Sequence, residues 1–93
     1  MSSKVAPVLM RAADIVLLQH AMHTSGKSES TIRRLCKRHG IARQTCRSAP
    51  LEISAPGLEM ALYGDLQALE KLRAGDRSSP EVRRYFDHLG IAV

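Results

Sequence analysis

The chain has 93 residues, of which 44% are hydrophobic, and it carries a formal net charge of +5. This length favours one domain, and the aromatic residues (two Tyr, one Phe and no Trp) suit a core of packed helices better than a β-sandwich. No apolar segment reaches transmembrane length and no secretory signal is visible, so we expect a cytoplasmic protein with reduced thiols and no membrane contact.

The first half of the chain predicts a helix followed by a polar linker. Residues 1–6 are expected to form a tail, and apolar side chains then recur at helical spacing over 7–22. Residues 24–30 are polar and predict a loop, and Ser28, Ser30 or Thr31 is suited to cap the next helix.

Two short helices are predicted around a glycine. The first follows the polar loop and ends near 37–39, before Gly40, and the second covers 42–48, before Pro50. The following segment, 49–57, contains two prolines and predicts a loop. Within it Leu51 and Ile53 alternate around a polar residue, which also allows a very short strand or an extended arm.

The C-terminal half predicts two amphipathic helices. Leucines recur at helical spacing over 58–74, with Gly64 inside at a cost of about 1 kcal/mol relative to Ala. The helix over 80–89 has the clearest boundaries, because Ser79 suits the N-cap and Gly90 suits the position after the last turn. These helices either complete the core or form a dimer surface.

Positive charge is concentrated in one segment. Residues 27–47 contain seven Lys and Arg side chains against one acid, giving +6, whereas residues 1–26 sum to +1 and residues 48–93 to −2. Such clustering is typical of a surface that binds a polyanion. The alternative is a solvated helical face that binds nothing.

Within this segment, residues 31–48 have the pattern of a helix-turn-helix. Cys36 is a small residue where two helices would cross, Gly40 suits a turn with positive φ, and Leu35, Ile41 and Cys46 would pack inward. Thr31, Gly40, Ile41 and the Gln44–Thr45 pair resemble the helix-turn-helix of bacterial and phage repressors, including the lactose-repressor type. The sequence departs from that pattern at Cys36, where Ala is usual, and at Cys46, where Val or Ile is usual.

The resemblance implies an all-α, lambda-repressor-like bundle of about five helices, with the single domain covering 1–93. It also implies a small transcriptional regulator that binds double-stranded DNA as a homodimer and places the helix 42–48 in the major groove. Base contacts would come from Arg43, Gln44 and Arg47. Backbone contacts would come from Lys27, Thr31, Arg33, Arg34, Lys37, Arg38, Thr45 and Ser48.

The same residues also allow other interpretations. A helical adaptor or antagonist that binds an acidic protein through the same basic face would have an identical sequence pattern. His20, His23, Cys36 and His39 imitate metal-ligand spacing, but the helix-turn-helix interpretation needs the cysteines in the core, so we expect no metal and no cofactor. A Cys36–Cys46 disulfide is disfavoured in a reducing cytosol. No catalytic constellation is visible, and we expect no enzymatic activity.

Overall fold

Five α-helices and a small antiparallel sheet make up the described part of the chain, residues 5–93, in a computed structural model. The strands are β1 (Ile15–Leu17), β2 (Ala42–Arg43) and β3 (Glu52–Ser54). The helices are α1 (Leu18–Ser25), α2 (Glu29–His39), α3 (Ala55–Leu62), α4 (Leu66–Arg73) and α5 (Pro80–Leu89). Of the tail predicted over 1–6, residues 1–4 lie outside the described residues.

The sheet corrects the all-α prediction, although the chain is mostly helical. Its strand order is β1-β3-β2, with both pairings antiparallel. Ile53, in the central strand, faces Val16 on one side and Ala42 on the other, and its side chain is fully buried. The alternation of Leu51 and Ile53 around Glu52 therefore marks a strand.

The helix predicted over 7–22 is wrong for most of its length, because helix begins only at Leu18. Val8 is buried, and its N–H donates to the carbonyl of Gly40 at 2.8 Å. A 3₁₀ turn over Ala12–Asp14 then leads into β1. Of the apolar side chains at helical spacing, Val8 is buried and Ile15 and Val16 are half-buried, whereas Leu9 is 80% exposed. Long-range pairing thus overrides the local pattern.

The helix predicted over 42–48 is also wrong. Ala42 and Arg43 pair with β3, and residues 44–51 form the loop of the β2–β3 hairpin. A helix of seven residues is marginal unless it buries an apolar face, and only Ala42 and Cys46 would have provided one. The strand conformation instead accompanies complete burial of Ile41 and Ile53.

Two predicted helices are confirmed by the structure. In α2 the hydroxyl of Ser28 accepts a hydrogen bond from the N–H of Thr31 at 3.3 Å, and Gly40 follows the helix with φ +64°. The bounds of α5 agree with the predicted 80–89, with Ser79 as N-cap and Gly90 after the helix. Both helices carry strong local start and stop signals.

The helix predicted over 58–74 is two helices rather than one. Gly64 has φ +69° and separates α3 from α4, and the carboxylate of Asp65 then caps α4 by accepting from the N–H of Ala68 at 3.1 Å. A residue expected to weaken one helix therefore ends it, and the next residue begins another.

The core lies between the sheet and the helices. Its largest fully buried apolar side chains are Val8, Ile32, Ile41, Ile53, Pro56, Met60, Leu69, Val82 and Phe86. The apolar stripes of α4 and α5 are thus used within the chain itself. Tyr63 and Leu66, 71% and 53% exposed, are large apolar residues left on the surface of this half. The predicted homodimer stays a prediction.

Candidate nucleic-acid interface

The outer face of α2 is a continuous basic stripe. Ile32 and Cys36 point into the core and are 0% and 6% exposed. The exposed positions recur at the spacing that places residues on one side of a helix. They are Glu29, Ser30, Arg33, Arg34, Lys37 and Arg38. The burial of one face therefore presents all four basic side chains of α2 to solvent together.

Helix α1 packs against α2, and a short turn joins them. Residues 26–28 form this turn, in which Gly26 has φ +71° and Ser28 is the N-cap of α2. Lys27 lies between them and is exposed. Two packed helices are thus joined by a three-residue turn that includes a glycine. The helix-turn-helix predicted from the sequence has its turn at Gly40, where the structure passes from α2 to β2.

The hairpin loop over 44–51 is held by a side chain within it. The amide nitrogen of Gln44 donates to the carbonyl of Ala49 at 2.6 Å and to the carbonyl of Arg47 at 3.3 Å. Gln44 therefore orders the loop instead of extending from a helix. Thr45, Cys46, Arg47 and Ser48 are exposed around the loop.

A groove lies between α2 and the β2–β3 hairpin. It has a volume of about 350 Å³. Its lining residues are Arg33, Cys36, Lys37, Ala42, Arg43, Gln44 and Leu51. Arg43 and Gln44, predicted to contact bases, thus share one concave surface with Arg33, predicted to contact the DNA backbone. Arg43 lies on a strand and Gln44 on a loop, not on a helix.

Two carboxylates lie within this basic surface. Glu29 accepts a hydrogen bond from Nε of Arg33 at 2.9 Å, and Glu52 accepts one from Nε of Arg43 at 2.7 Å. Other basic residues of the region have no salt-bridge partner among residues 5–93: Lys27, Arg34, Lys37, Arg38 and Arg47. The surface is therefore strongly positive, with two arginines fixed and the others unpaired.

Two titratable residues next to the basic surface, His39 and Cys36, are uncharged near pH 7. Burial, followed by the charges of Arg38 and Arg73, lowers the pKa of His39, which favours its neutral form near pH 7. Burial raises the pKa of Cys36 to about 11, so this thiol stays protonated. Neither His39 nor Cys36 therefore adds charge to this surface near pH 7.

Two predicted residues have different surroundings from those expected. Thr31 is half-buried, and its Oγ1 accepts a hydrogen bond from Ser28 at 3.0 Å, so it belongs to the helix cap. Cys46, expected in the core, is exposed at the hairpin loop. Ser30, Glu29 and Glu52 also belong to this surface, although the sequence pattern does not predict them. Gly26 and Ser28 mark a turn followed by a helix cap. This signal indicates that Glu29 and Ser30 lie in the first turn of α2.

Comparisons with family models, with curated proteins and with solved structures found no match to this chain. Within residues 5–93, no three His, Cys, Asp or Glu side chains are grouped so that they could hold a metal ion. The helices of this range are also too short and too polar for any of them to cross a membrane.

Proposed function

We propose that this chain binds double-stranded DNA, with α2 in the major groove and the 44–51 loop beside it. The observation that carries the proposal is the exposed basic stripe of α2, which shares a groove with the hairpin. In this proposal α1, the turn 26–28 and α2 act as the helix-turn-helix, and the segment 31–48 predicted from the sequence does not.

The dimensions of α2 support this placement. An α-helix with its side chains is about 10–12 Å across, which fits a major groove about 12 Å wide. The basic stripe from Ser30 to Arg38 extends about 12 Å along the axis of α2. In a docked recognition helix the N-terminal residues contact base edges, which assigns Ser30 and Arg33 to bases. The unpaired Arg34, Lys37 and Arg38 are then available to phosphates.

The biological role that we propose is regulation of transcription by a homodimer. Two copies of α2 would occupy half-sites about one helical turn of DNA apart, which doubles the contacts and the specificity. Sedimentation of the free chain and of its complex with duplex DNA tests this stoichiometry.

A salt titration tests DNA binding itself. With about four to six phosphate contacts per chain, the slope of log affinity against log salt should approach −4 to −5 per chain, since each contact contributes about −0.9. Lys37→Ala and Arg38→Ala should each reduce the steepness of this slope by about one contact. Arg83→Ala and Arg84→Ala are matched controls, because these exposed basic residues lie on α5.

Absence of binding to any duplex at low salt would overturn the proposal. Retention of an acidic protein by the same surface, lost in Lys37→Ala and Arg38→Ala, would then favour the adaptor that the sequence also allows. Equal losses of DNA affinity in the α5 controls would show non-specific attraction to a basic protein.

A further inference from the structure

We infer that Arg33 and Arg43 read guanine bases, and that Glu29 and Glu52 are positioning residues that orient them. The inference rests on the proposed function and specifies its ligand as a duplex site with guanine at two positions. The observation behind it is that two arginines of one groove have the same arrangement, on two different elements of the fold.

In both pairs the carboxylate is bound to the same edge of the guanidinium. Glu29 and Glu52 each accept from Nε of their arginine, at 2.9 and 2.7 Å. Among the described residues, neither guanidinium makes a hydrogen bond through its two terminal nitrogens. Those nitrogens present parallel N–H donors, the geometry that matches O6 and N7 of guanine.

The two pairs have independent structural origins. Glu29 and Arg33 are one helical turn apart on α2, whereas Arg43 and Glu52 are directly opposite each other on β2 and β3. Arg33 and Arg43 nevertheless line the same groove. Their side chains are 50% and 54% exposed, so both remain accessible to a ligand.

A carboxylate on a surface that binds a polyanion lowers affinity, because it repels phosphates and cancels an attracting charge. Its presence is explained when the arginine it holds contributes discrimination between bases. Fixing the guanidinium in advance also reduces the entropy lost on binding. The unpaired Arg34, Lys37 and Arg38 have no such constraint, as suits contacts to phosphates.

Selection from a random duplex pool tests the inference. The wild-type chain should select guanine at two fixed positions. Glu29→Gln and Glu52→Gln should each reduce the preference for guanine at one position by at least about fivefold, while non-specific affinity at low salt stays equal or rises. Arg33→Lys, which keeps the charge but not the planar fork, should lose the same preference as Glu29→Gln.

Glu81→Gln is the matched control, because Glu81 is an exposed acid in a salt bridge with Lys71, away from the groove. It should leave both the selected site and the affinity unchanged. Unaltered base preference in both Glu29→Gln and Glu52→Gln would overturn the inference. Selection of sites without guanine would also overturn it while leaving the proposed function intact, whereas failure to bind any duplex would remove both.

Side-chain NMR relaxation tests the positioning role in the free protein. The Nε–H order parameters of Arg33 and Arg43 should exceed those of Arg34 and Arg38, and each should fall when its own glutamate is replaced by Gln. Equal mobility of all four arginines in the wild-type chain would contradict the assignment without any DNA present.

Discussion

Asp14, in the segment that precedes β1, forms a bidentate ion pair with Arg77, in the connection between α4 and α5. Both guanidinium–carboxylate distances are 3.0 Å, and Asp14 is 1% exposed. The guanidinium carbon of Arg77 also lies 4.5 Å from the ring centroid of Phe86 in the core. This pair attaches the N-terminal segment to the C-terminal helices.

Replacement of Arg77 should therefore reduce stability strongly. Arg77→Ala should lower the free energy of unfolding by about 3 kcal/mol or more, because it leaves a buried carboxylate without its partner. Urea denaturation followed by circular dichroism measures this change. The exposed Arg83→Ala serves as control and should stay within about 0.5 kcal/mol of wild type. Similar values for the two variants would show that the pair contributes little.

Acid should destabilise the fold through the same carboxylate. Burial alone raises the pKa of Asp14, but hydrogen bonds from Arg77 and from the N–H of Arg11 outweigh it and hold the pKa below its ordinary value of 3.8. The unfolded chain therefore binds this proton more readily. The stabilisation is complete above 3.8 and is lost as the pH falls through the lower pKa of the folded state.

Asp14→Asn should accordingly flatten the acid side of the stability curve between about pH 5 and pH 2, measured by thermal unfolding. The hydroxyl of Tyr85 and the N–H of Ala68 lower the pKa of Asp65 in the same direction, so some dependence on acid should remain in the variant. An acid limb as steep as that of wild type would contradict the assigned role of Asp14.

Two glycines with similar backbone angles should respond differently to substitution. Gly26 and Gly40 have φ +71° and +64°, so alanine is strained at both, by about 1–2 kcal/mol. A Cβ at Gly40 would also lie 3.2 Å from the carbonyl oxygen of Ala6 and from Arg73, whereas nothing lies within 4 Å at Gly26. Gly40→Ala should therefore destabilise more than Gly26→Ala in urea unfolding, and the reverse order would be inconsistent with this packing.

The two cysteines should differ in reactivity. Cys36 is buried, with its pKa raised to about 11 by that burial. Cys46 is exposed, and hydrogen bonding with Ser48 lowers its pKa. Alkylation of the native protein at neutral pH should label Cys46 alone, and both should react after denaturation. Mass spectrometry of digested protein checks this, with Cys46→Ser as the variant that should remain unlabelled in the native state.

Gln44 should affect loop order more than base preference. Its amide holds the carbonyls of Arg47 and Ala49, so Gln44→Ala removes two hydrogen bonds from the hairpin loop. Under the proposed function, affinity for duplex DNA should fall several-fold while the selected sequence stays the same. A specific loss of adenine preference would instead restore the base-reading role first assigned to Gln44.

The sequence is sufficient to predict the elements that depend on residues close together along the chain. The helices α2 and α5 were predicted because Ser28, Ser79, Gly40 and Gly90 mark their ends. The sheet was not, because β1 and β3 pair residues as distant as Ile15 and Ser54, which no local pattern connects.

The closeness of several basic residues was predictable from the sequence, whereas the elements that carry them were not. Arg33, Lys37 and Arg43 do share a surface, as their clustering indicated. The prediction attached Arg43 to a helix because Gly40 and Ile41 fit a helix-turn-helix locally. Ala42 and Arg43 instead form a strand, because Ala42 pairs with the buried Ile53. This pairing joins residues distant in the sequence and is not visible in a local pattern.

Ser54 joins the β2–β3 hairpin to helix α3. It is the last residue of β3 and also the N-cap of α3, its N–H donating to Ile41 at 2.8 Å and its hydroxyl accepting from Gly57 at 3.1 Å. A Cβ on Gly57 would lie 2.9 Å from Ile41, so this base of the hairpin tolerates little change. The residues at the tip of the hairpin, Thr45, Cys46, Arg47 and Ser48, are exposed. Insertions and deletions there can alter what the hairpin touches during evolution while the scaffold beneath it stays constant.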